Sequence, residues 1–363
     1  MITTNLEEIL LLIDQIDPKN YAHTRNYGDG AVTKLSPYIS RGVISTKMIY
    51  NHLVEKGYKL DEMEAFVKEL AWRDYFQRVG QHHTNDLISS NLLQEDVQQD
   101  EISSAIVEAR TGIQAIDKAI TELYETGYMH NHMRMYVASI STNLVKSHWL
   151  SSAKWMYYNL IDADFASNAC SWQWICQVRS KKRYYANQEN VNRFFHSKQR
   201  ATFIDTDTDN FHKIKIPNHF KEFKNLELKT ELPVYKELIF DHKKSTAIYT
   251  IYNLDPNWRK EEDCNRVLIL EPSHFEQFPV SSKTIDFIIQ LNENLIGAQI
   301  FVGEFSDLQK ITLSSNLYFK EHPLFIHFTG IKDERDWIST ELTGDYPGFF
   351  NYWKKLEKEL TRS

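Results

Sequence analysis

Apolar and polar residues recur at helical spacing over most of the first 176 positions. The run Leu6–Ile13 follows Thr4 and Glu7, which predicts a capping box at the start of the first helix. Ser36-Pro37 and Ser45 are N-cap signals, and Gly57 predicts the close of the helix that Ser45 opens. Stretches 61–79, 112–125, 126–147, 150–160 and 165–176 keep helical periodicity with no strand-like alternation. Residues 177–243 are polar, carry Pro217 and Pro233, and read as a connecting segment with short helices. From about 244 the pattern turns to α/β, with short β-rich runs at Ala247–Tyr252, Arg266–Glu271, Ala298–Glu304 and Leu324–Phe328. A helix over Ser281–Asn294 would make a βαβ unit of the second and third runs. The expected class is mainly α, with a helical domain over 1–200, a connecting segment over 201–243 and a small α/β domain over 244–363.

Composition narrows the function classes. The 363 residues are 42% hydrophobic and 25% charged, which excludes a disordered or fibrous chain. No apolar run reaches the length of a membrane span, and the acidic, amphipathic N-terminus lacks the basic region of a signal peptide. The three cysteines, Cys170, Cys176 and Cys264, form no CxxC, which supports neither a disulfide framework nor a zinc site. A soluble, cytoplasmic protein without a structural metal is expected. Net charge is −7, against a generally basic nucleic-acid coat. Yet Arg179, Lys181, Lys182, Arg183, Arg193, Lys198 and Arg200 face a single acid, Glu189, within one stretch. Such a stripe on an acidic protein suits either a phosphate-contacting face or an ordinary solvated loop.

Several segments concentrate candidate chemistry. Thr33-Lys34-Leu35-Ser36-Pro37 brings two hydroxyls and an ammonium to a helix start, a combination suited to a diphosphate. Glu69, Trp72, Arg73 and Phe76 fall on one helical face, as do Tyr128, Asn131, Arg134, Met135 and Ala138. Neighbouring positions are apolar, so Glu69, Arg73, Asn131 and Arg134 need partners, either one another or a bound polar cofactor. Asp162 and Asp164 open a block running to Trp174, in which Asp164 can cap a helix and Asn168 and Trp172 share a side. No GxGxxG or GxxxxGK[ST] occurs. His130 and His132, two apart, are poorly spaced for one helix face and predict no metal.

In order and spacing, these strings resemble the helical FAD-binding domain of the cryptochrome/photolyase family. They are Tyr21…Arg25…Thr33-Lys34-Leu35-Ser36-Pro37-Tyr38 with Gly42 and Ser45, Glu69 to Tyr75, Thr111-Gly112, Gly127 to Met135, and Leu160 to Trp174. The resemblance spans roughly residues 20–176. It implies FAD with its diphosphate on Thr33, Lys34, Leu35 and Ser36 and Tyr21 nearby, and a cavity lined by Glu69 and Arg73. It further implies an Arg134–Asp162 ion pair beside the isoalloxazine, Asp164 at the ring edge, Asn131 on the adenine side and Asn168 at N5. Repair enzymes of this family flip a pyrimidine dimer into a pocket over the flavin. Carried over, Trp72, Trp174, Met135 and Glu69 would receive the dimer, and Arg179, Lys181, Lys182 and Arg183 would meet the DNA backbone. Trp172 then Trp149 resemble the start of the electron relay that reduces the flavin.

The activity implied is light-dependent cyclobutane pyrimidine dimer lysis, by a monomer acting on dimer-containing DNA and not on a membrane. The alternatives are a cryptochrome-like blue-light sensor and an FAD-binding protein without repair. Asn168, Asn131 and Met135 resemble the cyclobutane-dimer enzymes. Departures are His132 where Arg is usual, Tyr128 in place of Trp, and Asp96 near the position of the third relay Trp. Either Trp155 or a tyrosine completes that path, or photoreduction is slow. The family's antenna domain normally precedes the FAD domain; here the α/β region after 244 would be its counterpart, and the resemblance leaves any antenna chromophore unspecified.

Overall fold

The computed structural model describes residues 2–90, 92–234, 237–312 and 316–362. Its contacts divide the chain into two units that interleave along the sequence. The first contains Met1–Pro18, Thr33–Thr84 and Lys229–Ser363; the second contains Lys19–Val32 and Asn85–Leu228. This differs from the linear division expected from composition, because Leu60–His82 groups with the α/β region instead of with the helices that follow it.

The first unit is built on a five-stranded, wholly parallel sheet. Its strands are β1 (Thr246–Tyr249), β2 (Asn265–Leu270), β3 (Ala298–Val302), β4 (Leu317–Lys320) and β5 (Ile331–Asp333). They lie in the order β3-β2-β1-β4-β5, a doubly wound arrangement whose order reverses between β1 and β4. Ile248 is paired with Val267 on one side and Phe319 on the other. All four residues of β1 are buried, as expected for a central parallel strand. Helix Ser282–Asn292 links β2 to β3, and Phe305–Thr312 links β3 to β4. Of the four strands expected, three form. Leu324–Phe328 does not: Pro323–Phe325 is a single 3₁₀ turn, whose Phe325 ring packs against His274 and Phe328, the latter stacked on Phe305. An aromatic cluster imitates a β-rich run there, and the true strands on that side are β4 and β5.

Helix Leu60–His82 also belongs to this unit and packs against Thr46–Glu55 and the C-terminal helix Phe349–Leu360. The C-terminal helix buries Phe349, Tyr352, Trp353, Leu356 and Leu360. At about 1.5–3 kcal/mol for each large apolar side chain, that face anchors the helix firmly. A strap ahead of it is tied to the same partner: Arg335 donates to Gln77, the Ile338 amide to Asp74, and the guanidinium of Arg78 lies 3.6 Å from the Trp337 ring centre. Gly42 is the one residue type its position allows: its φ is +65°, and a Cβ would collide with the Tyr252 carbonyl.

The second unit is helical, with Gln114–Thr126, Asn131–Ser139, Trp149–Asn159, Phe165–Ile175 and Gln188–Phe195. Ile102–Ser103 and Phe223–Lys224 add a short antiparallel pair. The helix expected over 126–147 is shorter and composite. Gly127 closes the preceding helix at φ +72°, His130 caps the next through Nδ1, and after Ser139 the chain relaxes into a π-helical turn, Ile140–Leu144. At the N-terminus the cap is Asn5, which accepts from the Glu8 amide, one position beyond the expected Thr4. Ser45 and Asp164 cap as expected, accepting from the Met48 and Ser167 amides.

Candidate functional site

In the second unit the expected residues converge on the junction of three helices. Gly127 at the end of one helix accepts a hydrogen bond from the Ile161 amide, which fixes the approach to Asp162. Helix Asn131–Ser139 carries Arg134, whose Nε donates to the Met129 carbonyl and whose Nη2 donates to Asp162 Oδ2 at 2.8 Å. Asp162 is almost fully buried and Arg134 retains about a quarter of its side-chain exposure. A desolvated pair with a backbone anchor is rigid, and losing either partner leaves an uncompensated buried charge. Tyr128 lies 5.7 Å from the same guanidinium, and burial pushes its phenol pKa up.

Asp164, two residues on, caps Phe165–Ile175 with a 2.7 Å bond from Ser167. One turn later Asn168 donates through Nδ2 to the Ala153 carbonyl at 2.9 Å, joining this helix to Trp149–Asn159. Its amide nitrogen is thereby engaged, leaving the amide oxygen as an acceptor. Trp172 and Trp149 are buried on these two helices, and Trp149 Nε1 has no hydrogen-bond partner among the described residues. Trp155, the other relay candidate, donates to Tyr124 Oη at 2.9 Å. Asn131 is exposed at the first position of its helix, and Met135 is half-buried on it. Tyr21 also belongs to this unit. His132 stacks on Tyr136 and binds the Asn26 carbonyl, so its imidazole is part of the packing.

The basic stretch separates into two kinds of residue. Arg179 bonds Gln173 and pairs with Asp86, and Arg183 pairs with Asp96 at 2.8 Å with only 12% of its side chain exposed. Lys181 and Lys182 are exposed. Lys181 and Lys182 form no ion pair among the described residues and are open to a polyanion, whereas Arg179 and Arg183 clamp the loop. Trp174 is 40% exposed and leans on Tyr184 at 6.1 Å.

The first unit carries Thr33, Lys34, Leu35, Ser36, Glu69, Trp72 and Arg73. Lys34 takes the left-handed conformation at φ +53°, immediately before the helix Ser36–Ser40. That helix has only five residues, so its dipole is small, and the two hydroxyls and the ammonium are the stronger feature for an anion. Glu69, Trp72 and Arg73 follow one another along Leu60–His82 as expected. The sequence reading did not foresee what meets Trp72. Phe349 stacks flat on the indole, with ring centres 3.7 Å apart and planes within 9°. The string Gly348-Phe349-Phe350 is too distant in sequence for any periodicity to pair it with Trp72. Two residues on, Asp74 is buried, accepts from Thr46 Oγ1 and the Ile338 amide, and is pushed up to about 6 by desolvation.

A family profile described as the FAD binding domain of DNA photolyase matches residues 66–250, just over half of the chain. A deoxyribodipyrimidine photo-lyase of Alkalihalophilus pseudofirmus is 32% identical over 40% of this chain and 31% of its own length. One from Agrobacterium fabrum is 29% identical over 43% of this chain and 34% of its own. Cryptochrome DASH of Danio rerio is 32% identical over 45% of this chain and 33% of its own. The match thus spans about a third of the length of these relatives. Among solved structures, a Synechocystis cryptochrome aligns at TM-score 0.46 and 25% identity, over 52% of this chain and 43% of its own.

Proposed function

The chain belongs to the FAD-binding domain family of the DNA photolyases, and on that premise we propose that it repairs cyclobutane pyrimidine dimers in DNA in a light-dependent reaction using reduced FAD. The observation that carries the reading is the Arg134–Asp162 pair, formed where the resemblance sets the isoalloxazine. The donor set suits that group. A flat, polar ring system needs a neutralised, dry charge pair beside it and a fixed acceptor for a ring N–H. The pair supplies the first, and Asn168, with its nitrogen engaged by Ala153, supplies the second.

FAD, when bound, supplies the light-excited electron that opens the dimer's cyclobutane ring. The rest falls to side chains. Thr33, Lys34, Leu35 and Ser36 would bind the diphosphate, with Tyr21 nearby. Glu69 and Arg73 would line the cofactor, Asn131 would lie toward adenine, and Asp164 would meet the ring edge. Trp172 and Trp149 would pass electrons to the flavin. Trp72, Trp174 and Met135, with Glu69, would receive the flipped dimer, where base–aromatic stacking of roughly 1–3 kcal/mol per base offsets the cost of flipping. Lys181 and Lys182 would contact phosphates, with Arg179 and Arg183 holding their loop.

A blue-light sensing role, or flavin binding without repair, is the second reading. It is favoured by the Phe349 ring on Trp72 and by the cryptochrome DASH relatives. Repair of a dimer-bearing oligonucleotide by chemically reduced protein, illuminated and dark, separates the two readings. The proposal requires illumination-dependent loss of dimers; equal dimer content in light and dark, with FAD bound, rejects repair.

A further inference from the structure

Trp72 is half-buried on helix Leu60–His82, and one face of its indole lies parallel to Phe349 at 3.7 Å. Tyr75 meets Trp72 edge-on, and Phe76 is tilted against it. A flat stack at van der Waals distance is the geometry that a nucleobase adopts on an aromatic side chain. The chain therefore already fills, with its own ring, the kind of slot a base would use.

The part of the C-terminal helix that supplies this ring is its first turn, which begins without a side-chain cap. Phe349 is its first residue, preceded by the extended Gly348, which provides no side-chain cap. Glycine also stands at 344, and residues 343–345 are exposed, with the Thr343 carbonyl and Asp345 bonded to His82 and His83. Tyr352, Trp353, Leu356 and Leu360 bury the later turns. Displacing Phe349 would unpack this first turn, while the later positions keep the body of the helix in place.

We propose that Phe349 is a built-in competitor for the Trp72 face, so that residue 349 sets the affinity of the chain for a flipped base. A planar ligand gains the stack only after Phe349 leaves, so it has to offset the lost burial of that ring as well as the lost stack. Replacing Phe349 removes the competitor without touching Trp72. The proposal rests on the repair reading for the identity of the displacing ring, a pyrimidine of the dimer.

The test is dark equilibrium binding of a dimer-bearing oligonucleotide and of its undamaged counterpart. It compares wild type with Phe349→Ala, Phe349→Leu, Phe350→Ala and Trp72→Ala, each checked for native circular dichroism. Phe349→Ala should bind the damaged strand about tenfold more tightly, equivalent to about 1.4 kcal/mol. Phe349→Leu, which keeps apolar volume but no flat ring, should show a smaller gain. Phe350→Ala, on the exposed side, should match wild type, and Trp72→Ala should bind more weakly. If both Phe349 variants bind like wild type while Trp72→Ala is weakened, the competitor role is overturned and repair stands. If no protein distinguishes damaged from undamaged DNA, the repair reading falls and the competitor role with it.

Discussion

In the second unit, several buried polar groups meet opposite charges or backbone carbonyls, although Ser147 Oγ and Trp149 Nε1 have no partner among the described residues. Arg134 is held by Asp162 and Met129, Asn143 donates to the carbonyls of Ile175 and Tyr184, and Gln173 donates to that of Asp86. In the first unit, two buried histidines near the sheet's carboxyl edge are kept neutral. His274 is driven down to about 3 by desolvation, and His322, stacked flat on Tyr252 at 4.1 Å, well below its ordinary value. Asp74 is raised to about 6 by the same cause. The contrast separates two ways of holding polar side chains away from water. One makes a preorganised electrostatic environment of the kind a cofactor uses, and the other makes a core sensitive to protons.

The sharpest break of this comparison is a pair of substitutions at adjacent positions in the first unit. Phe349→Ala empties a site with 4% exposure and should cost about 3–5 kcal/mol, whereas Phe350→Ala, at 73% exposure, should stay within about 0.5 kcal/mol. Urea unfolding measures both, and similar costs would mean that the C-terminal helix is not docked through its Phe349 face. In the second unit, Asp162→Ala strands a guanidinium that keeps some solvent contact, at about 2–3 kcal/mol. Asp162→Asn, which keeps a hydrogen-bond acceptor, should cost less; equal losses would argue that packing, not charge, matters there.

Acid sharpens the contrast. A histidine held neutral contributes stability that is complete above its unfolded pKa near 6.5 and is lost as pH falls below it, by about 1.4 kcal/mol per pH unit. His274 and His322 both act in this direction. Asp74 acts oppositely, because its raised pKa favours the folded state below about 6, and it cancels part of one histidine's loss. Between pH 7 and 5 the first unit should lose about 2–3 kcal/mol net. His130 of the second unit, lowered to about 4 mainly by desolvation, adds a loss of the same sign there. Denaturant titrations at the two pH values that give one midpoint would contradict the neutral-core account.

The smallest effect concerns the basic loop. Lys181→Ala with Lys182→Ala should lower the salt slope of DNA binding by about one to two and leave stability unchanged. Arg179→Ala or Arg183→Ala should instead loosen the fold, because each is committed to an acid within the chain. A slope unaltered by removing both lysines takes this loop off the DNA face.

Much of this organisation was legible because it is local. Helical periodicity located Trp149–Asn159 and Phe165–Ile175 to within a residue and Leu60–His82 to within three, and Ser45 and Asp164 announced their caps. The need of Arg134 for a partner followed from its apolar neighbours, and Asp162 supplies it. What escaped depends on distant pairing. Leu324–Phe328 has strand composition but packs as an aromatic turn, and β4 and β5 are too short to signal themselves. The interleaved units escaped too, because Leu60–His82 finds its partners near the C-terminus. Arg179 and Arg183 look like free cations in sequence until Asp86 and Asp96 arrive from another segment.

The cofactor site is tested most directly by the flavin content of purified protein, measured by absorbance after release and expressed per chain. Wild type should carry close to one FAD, and Asp162→Ala, with unchanged circular dichroism, should carry almost none. Wild-type protein without flavin after reconstitution with FAD, or a full complement in Asp162→Ala, would contradict the account.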